Sequence, residues 1–401
     1  MNTPNKSPIL TGLRVVEFAH IIAGPLAGTL LADLGATVVH VESPQTGDPS
    51  RSMGDTRGGV NRRWKASARN KRSVCLNLRD PEGQKLARRL ARWADVVITN
   101  IKADTLEKWE LDWPSLHRIN KRLVYLQISG YGAKSSLRSA PGFGKVGEAR
   151  SGAVHLTGFP DGPPLHSGFS HGDSLTALMG AFGIMAAVYR QASDPDFGGE
   201  WIDIALFEAL FRLIEWQIIQ YDQLGIVGGR NGNHMSARPK SVTNTYLSRD
   251  EQWITVASAT PRSIQNIATL LGLDGSDFVT PEQQRPEVQR LDGLLAEWIA
   301  CRDADECLAA MAESEVAASK IFSPEDIIDD PTYNELQDIV TVEDAEVGNL
   351  RMHGVIPRLE TYPGTIWRTG PALGVDNELV YRDWLGLTET ELEQLGGTGI
   401  I

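Results

Sequence analysis

The sequence predicts an α/β protein: a doubly wound, largely parallel, Rossmann-like sheet in a large domain, accompanied by a smaller α+β domain. Two observations predict it. Short β-branched runs alternate with helical segments from the N-terminus onward, at the spacing of βαβ units whose crossovers cover both faces of parallel strands. At 401 residues the chain also exceeds the size at which one core keeps growing, so two domains are the default.

The elements follow in order. Leu13–Phe18 reads as a strand, Gly24–Leu34 as an Ala- and Leu-rich helix, and Ala36–Val41 as a second strand. Ser73–Leu78 is a strand, and Pro81–Trp93 a helix with Asp80 as its cap and proline at its first position; Asp95–Thr99 and Leu123–Ile128 are further strands. An apolar helix opens at Asp173, Trp201–Ile204 is a strand, and a long helix from Leu206 to Leu224 leads into the Gly-rich turn Gly228–Asn233. That turn marks a boundary, giving segments 1–225, 226–322 and 323–401. The middle segment carries strand-like Trp253–Val256 and helical patterns at Arg262–Leu271, Val288–Cys301 and Ala304–Ala312; the last has Pro and Gly punctuation, short strands and a closing helix, Glu389–Gln394.

A formal charge of −12 argues against nucleic acid or anionic lipid as a partner and leaves small molecules and protein. Cys75, Cys301 and Cys307 form neither a CxxC pair nor an even disulfide set, which suits free thiols in a reducing cytoplasm. The N-terminus has no apolar core of signal-peptide type, and no uninterrupted apolar segment is long enough to span a bilayer, so a soluble cytoplasmic protein is expected. The eight histidines show no HExxH or Cys/His ligand spacing, and no metal is expected.

Three features carry chemistry. Ser170-His171-Gly172-Asp173 places a carboxylate at the mouth of the apolar helix, behind a glycine that leaves room for a ligand; on spacing alone a helix cap is the better reading and a nucleophile the alternative. Nine cations lie between Arg51 and Arg79 against the single acid Asp55. They form either ion pairs with the acidic remainder or a phosphate site, and their place after the second strand favours the site. Gly142-Phe143-Gly144-Lys145-Val146-Gly147 matches G-x-G-x-x-G, but no strand immediately precedes it and no acidic ribose partner follows, so nicotinamide and flavin are set aside; flexible backbone beside a ligand is the functional reading and an ordinary turn the alternative.

Leu10-Thr11-Gly12-Leu13-Arg14-Val15-Val16-Glu17-Phe18, Ala23-Gly24-Pro25-Leu26-Ala27, Leu31-Ala32-Asp33-Leu34-Gly35-Ala36, Gly47-Asp48-Pro49-Ser50-Arg51, Asn70-Lys71-Arg72-Ser73 and Ser129-Gly130-Tyr131-Gly132 together resemble the class III CoA-transferases, the family of formyl-CoA and carnitine CoA-transferases. The resemblance runs from about Leu10 to Leu387. It implies that Asp173 is the catalytic nucleophile and that coenzyme A, as cosubstrate, contacts Ile22, Ala23, Leu76, Arg79, Asn100, Ile101 and Lys108, with Arg79 and Lys108 facing phosphates. It further implies a large domain built from both chain ends and an interlocked dimer, of one subunit or of two homologous ones. The implied reaction moves CoA from an acyl-CoA donor to a carboxylic acid through a mixed anhydride and an aspartyl-CoA thioester.

The chain departs from the formyl-CoA transferases at Ile22, where they carry Gln; near Lys145, where they carry Glu; and around Ser236–Pro239, where their Gly-rich lid is not recognisable. An apolar Ile22 with His20, Lys145, Arg230 or Arg238 suits a larger acid, a dicarboxylate with succinyl-CoA as donor. Three alternatives remain open. An α-methylacyl-CoA racemase of the same fold needs a histidine near Phe143, and none occurs from Tyr131 to Val154. An intramolecular CoA-transferring isomerase, and a non-catalytic acyl-CoA-binding protein in which Asp173 only caps its helix, also fit the pattern.

Overall fold

The computed structural model describes residues 6–234, 241–278 and 288–401. Two compact units emerge: the first joins 1–152, 167–214 and 331–401, the second 153–166 and 215–330. The expected breaks were 225/226 and 322/323.

The first unit is built on β1 (Arg14–Phe18), α1 (Ala23–Asp33), β2 (Thr37–Glu42), the hairpin β3 (Thr56–Arg57) and β4 (Val60–Asn61), α2 (Arg62–Ser67), β5 (Lys71–Cys75), α3 (Pro81–Trp93), β6 (Val96–Thr99), α4 (Ala103–Trp109), α5 (Trp113–Ile119), β7 (Val124–Ser129) and α6 (Gly144–Arg150). After α7 (Ala153–Leu156) of the second unit come α8 (His171–Ser193), β8 (Glu200–Ala205) and α9 (Glu208–Leu213). Six strands form one sheet in the order β5-β2-β1-β6-β7-β8, every neighbour pair parallel. The doubly wound sheet therefore stands as expected. The chain winds outward from β1 in one direction, returns to β6, and winds outward in the other, so the topological switch lies between β1 and β6, where such sheets open a ligand crevice at their carboxyl ends.

Each face has its own core. Val16, Val39, Val97 and Tyr125 pack with Leu86 and Leu90 of α3 and Leu116 of α5 on one side; Val15, Val38, Ile98 and Leu126 pack with Ala27 and Leu31 of α1 and Ala177 and Ile184 of α8 on the other. Strands covered on both faces read as continuous apolar runs, which is why they were legible. Asp80 caps α3 through the Glu82 N–H, with Pro81 at the first position, as expected.

The expected helix from Leu206 to Leu224 is two: α9 stops at Leu213 and α10 (Gln217–Leu224) begins after Glu215, which turns left-handed at φ 54°. The expected strand at Ser73–Leu78 is β5, shifted toward the N-terminus, because beyond Cys75 the backbone turns to other partners: Asn77 N–H donates to Ile400 O. A further correction concerns the basic island. Arg51 pairs with Glu42, Lys65 with Asp344 and Glu346, Arg69 with Asp33, Lys71 with Glu17, and Arg72 with Asp376, so five of the nine cations are structural. Several clamp the C-terminal segment onto the sheet: Asp376 also accepts the Ser73 N–H, Asn377 accepts the Cys75 N–H, Tyr381 donates to Cys75 O, and Trp64 donates to Pro371 O. This covers the β5 edge, an otherwise open row of backbone groups. The segment itself carries α15 (Pro331–Glu335), the hairpin β12 (Ile339–Asp344) and β13 (Gly348–His353), and α16 (Glu389–Gly397).

The second unit, with α10, holds an antiparallel sheet β11-β10-β9 (Ala318–Lys320, Trp253–Ser258, Val242–Leu247). Its helices are α11 (Pro261–Leu270), α12 (Val288–Ala300), α13 (Ala304–Glu313) and α14 (Pro324–Asp329). Ile254, Val256, Ile267, Leu295 and Met311 centre its core. β9 went unnoticed in the sequence because the polar run Thr243-Asn244-Thr245 interrupts its apolar residues.

α8 is long and apolar enough to cross a membrane by composition alone, yet it packs on α1, β7 and β8. Leu178, Phe182 and Tyr189 on its other face are 51, 71 and 77% exposed.

Beneath β1 and β2 lies a buried charge cluster. His40 Nδ1 is 2.7 Å from Glu17, and its Nε2 is 3.3 Å from Asp48, close but poorly aligned. Burial opposes the charge on His40, but the two carboxylates outweigh it and push its pKa up to about 9. With a folded pKa above the unfolded value, the contribution is whole below about pH 6.5 and lost as pH rises toward 9, worth at most about 3 kcal/mol. Thermal melts across that range are expected to show wild type losing stability with pH and H40Q lacking that part of the slope.

Candidate active site

Two helices open on the carboxyl edge of the sheet. α1 follows β1 and α8 precedes β8, so as crossover helices both run against the strands and present their N-termini at the same edge, side by side, since α1 packs against α8. This brings Ile22 and Ala23 to the same rim as Asp173.

The loop after β1 is fastened across the switch point. Asn100, just after β6, accepts the His20 N–H at 2.9 Å and donates to His20 O at 2.8 Å. Thr99 Oγ1 donates to Phe18 O and accepts the Ile101 N–H. Ile21 sits at φ 70°, a left-handed conformation costly for a β-branched residue, and its N–H points at both oxygens of Asp48, at 3.1 and 3.3 Å. Asp48 also accepts the Ser50 N–H and hydroxyl; these bonds and His40 hold its carboxyl well below the usual range against the cost of burial. His20, whose Nδ1 lies 3.8 Å from Asp48, has its pKa lowered by burial. Strain and a dense polar network thus fix His20, Ile22, Ala23, Asn100 and Ile101 as one rigid lip.

Leu76 is buried in the core directly after β5, and exposed Arg79 ends the same turn. Lys108 is exposed on α4, after β6. Among the described residues neither the Arg79 nor the Lys108 side chain has a hydrogen bond or ion pair, and both follow the carboxyl ends of strands.

At the start of α8 the cap expectation fails. The N-cap position is Ser170, without a side-chain cap bond, and Asp173 lies in the first turn. Among the described residues the Asp173 carboxylate makes no hydrogen bond or ion pair. The cap is supplied from another helix: Glu148 of α6, its side chain 3% exposed, accepts the Gly172 N–H at 3.1 Å. Burial raises the pKa of Asp173, Glu148 raises it further, and Lys145 and Arg63 pull it down.

Glycines make the room. A Cβ on Gly144, the first residue of α6, would lie 2.1 Å from Asp173 Oδ2; one on Gly130 would lie 2.9 Å from Gly142 Cα. The Gly142–Gly147 stretch, read as flexible backbone beside a ligand or as an ordinary turn, is the entry to α6, where the absent side chain at Gly144 lets the two helices approach.

The remaining substrate candidates divide. The Lys145 ammonium is spent: it reaches Glu148 at 2.9 Å, Ser167 O at 2.8 Å and Phe169 O at 2.9 Å. Arg230 belongs to the second unit, its Nε 3.3 Å from Phe159 O, and Arg238 lies outside the described residues. Glu148 was missed by sequence reasoning; its signal was an i, i+3 Lys-Glu pair in the Gly-rich stretch. Arg63 was seen only as part of the island, yet it is exposed and its charge reaches Asp173.

The family model of CoA-transferase family III matches residues 10–377. The chain belongs to that family. It is 36% identical over 397 residues, 98% of both chains, to the succinyl-CoA--D-citramalate CoA-transferase of Chloroflexus aurantiacus. It is 31% identical over 401 residues, again 98% of both, to the beta subunit of a succinyl-CoA--L-malate CoA-transferase of the same organism. Among solved structures, a CAIB/BAIF family protein from Brucella suis superposes with a TM-score of 0.81 at 30% identity, covering 94% of this chain and 100% of that one. The protein is thus a CoA-transferase whose substrates are CoA thioesters.

For the transferase, G144A is a clean test of the room at Asp173. The clash falls on the far end of a mobile side chain, so stability is expected to hold while Asp173 turns away. Turnover should drop about 100-fold or more, since a displacement of about 1 Å costs that much, with a melting temperature near wild type.

Proposed function

We propose that the enzyme moves CoA from a dicarboxylic acyl-CoA, succinyl-CoA foremost, to a second dicarboxylic acid, with Asp173 as temporary covalent carrier. The observation that carries this reading is the unpaired Asp173 carboxylate on the rim shared with Ile22 and Ala23. A carboxylate in a helix's first turn that neither caps nor pairs is available for attack, and burial makes it more basic, hence more nucleophilic.

In the proposed reaction an Asp173 oxygen attacks the donor thioester carbonyl, and the C–S bond breaks to release CoA thiolate, leaving a mixed anhydride. The thiolate attacks the aspartyl carbonyl, freeing the donor acid as carboxylate and leaving an aspartyl-CoA thioester. The acceptor carboxylate attacks that thioester, again expelling thiolate; attack of the thiolate on the acceptor's acyl carbon completes the new acyl-CoA and restores Asp173. No proton need move.

Arg79, after the edge strand β5, and Lys108, after β6 beside the switch point, are unpaired among the described residues and would meet CoA phosphates, with the His20–Ala23 and Asn100–Ile101 loops flanking the pantetheine arm. Arg63 takes over the role expected of Lys145, as a free cation facing the acyl end. The relatives named for citramalate and malate support a dicarboxylate acceptor. The exposed Leu178, Phe182 and Tyr189 stripe fits burial against a second copy, consistent with the interlocked dimer the family resemblance implies. Exclusion of water would then protect the anhydride. We place the enzyme in the cytoplasm, where Cys75, Cys301 and Cys307 stay free thiols.

The test loads the enzyme with succinyl-CoA and reads intact and peptide mass. Wild type is expected to carry added mass on Asp173 and discharge it to citramalate or malate; D173N should bind CoA but carry none. Folded, CoA-binding wild type that no acyl-CoA labels would sink the reading. Separately, R79Q/K108Q is expected to raise KM for acyl-CoA about 10-fold or more, as loss of charge-assisted phosphate contacts predicts, with kcat little changed and the defect shrinking at high salt.

A further inference from the structure

The mouth of α8 contains two carboxylates with opposite circumstances, and the difference has a chemical consequence. A helix begins with free amides that attract any nearby carboxylate and lower its basicity. Here two of those amides are engaged elsewhere: the His171 N–H donates to Phe169 O at 2.9 Å and the Gly172 N–H to Glu148. Glu148 is in turn locked by Lys145, whose ammonium also holds the carbonyls of Ser167 and Phe169, the residues that lead into α8. The packing leaves little slack, since a Cβ on Gly172 would lie 2.9 Å from Gly144 O and 3.1 Å from Glu148 Cγ.

We propose that Glu148 is a positioning residue for the nucleophile: it takes the helix-start amide that Asp173 would otherwise use, and its charge keeps the neighbouring carboxylate basic. Lys145 is the counterweight, fixing Glu148 and the entry to α8 while tempering the negative field. The charged groups that act on Asp173 are Glu148 and Lys145 from α6 and Arg63 from α2, while the nearby His171 ring lies against Phe169. The inference deepens the reading of Asp173 as covalent carrier and rests on it for its catalytic meaning.

The sign separates this role from a structural one. In E148Q the amide oxygen still accepts the Gly172 N–H, but the negative charge is gone and Lys145 is uncompensated, so Asp173 becomes less basic. In K145M the opposite holds. The experiment follows two pH profiles for wild type, E148Q and K145M: the rate of Asp173 labelling by succinyl-CoA, and the modification of Asp173 by a water-soluble carbodiimide, read by peptide mass. The acidic limb of the labelling profile, and the pH at which carbodiimide modification falls off as the carboxyl loses its proton, are both expected to move to lower pH in E148Q and to higher pH in K145M, with KM for succinyl-CoA near wild type in E148Q. Labelling by E148Q at neutral pH should slow about three-fold per unit of basicity lost, taking the Brønsted slope of about 0.4–0.5 known for thiolate attack, and E148D should recover most of the rate.

Limbs that stay put in both folded variants, or move the same way, would overturn the proposal. If E148Q does not fold, the direction of the K145M shift decides. The carbodiimide profile is independent of CoA chemistry: opposed shifts there without succinyl labelling in wild type would fault the carrier reading, whereas labelling with unmoved profiles would fault the role given to Glu148.

Discussion

A carboxylate in the first turn of a helix is ordinarily drawn into bonds with the free amides around it, and the reading proposed for this site depends on denying Asp173 that outcome. The denial is architectural. Glu148 arrives from α6 to take the Gly172 amide, Gly144 lets α6 come close enough to do so, and Lys145 ties both to the segment entering α8. Without the close approach of these two helices the Gly172 amide would lose this acceptor.

The sheet makes the rest of the site follow. Because β1 and β6 are neighbours that wind in opposite directions, the loops after them part at the carboxyl edge, and that gap is where Asn100 bridges to His20. The left-handed Ile21 is tolerated because Asp48 receives its amide and is itself held by Ser50 and His40. Strain of order 1–3 kcal/mol per such residue is offset by a buried network beneath it, which trades folding stability for a fixed lip on the rim shared with Asp173.

How much of this was legible depended on how local the deciding interaction was. The αβ alternation, the Asp80 cap of α3 and the two-sided burial of β1, β2, β6 and β7 are properties of contiguous residues, and the sequence displayed them. The break at Glu215, the partners of the basic island and the function of Lys145 are not. Arg72 meets Asp376 and Lys65 meets Asp344 across some three hundred residues, and no local pattern says that a cation cluster will be matched from the far end of the chain. Asp173 could be found by resemblance, but its lack of a partner among the described residues, and the Glu148 bond to the Gly172 amide beside it, arise from helix packing between segments separated by a loop.

A chain of net charge −12 that handles a polyanionic cofactor has to resolve a contradiction, since its mean field repels what it must bind. It does so by sorting its cations. Arg51, Lys65, Arg69, Lys71 and Arg72 are neutralised by carboxylates and used as fasteners for the sheet and the returning C-terminal segment. Arg63, Arg79 and Lys108 are exposed and, among the described residues, unpaired; they follow β4, β5 and β6 respectively. Unpaired charge at a concave edge acts over roughly the Debye length of about 8 Å at physiological salt, so a few well-placed residues outweigh a distant acidic surface. The same sorting explains why the island looked like a binding site: its location was informative, but only the cations without structural duties remain to meet a ligand.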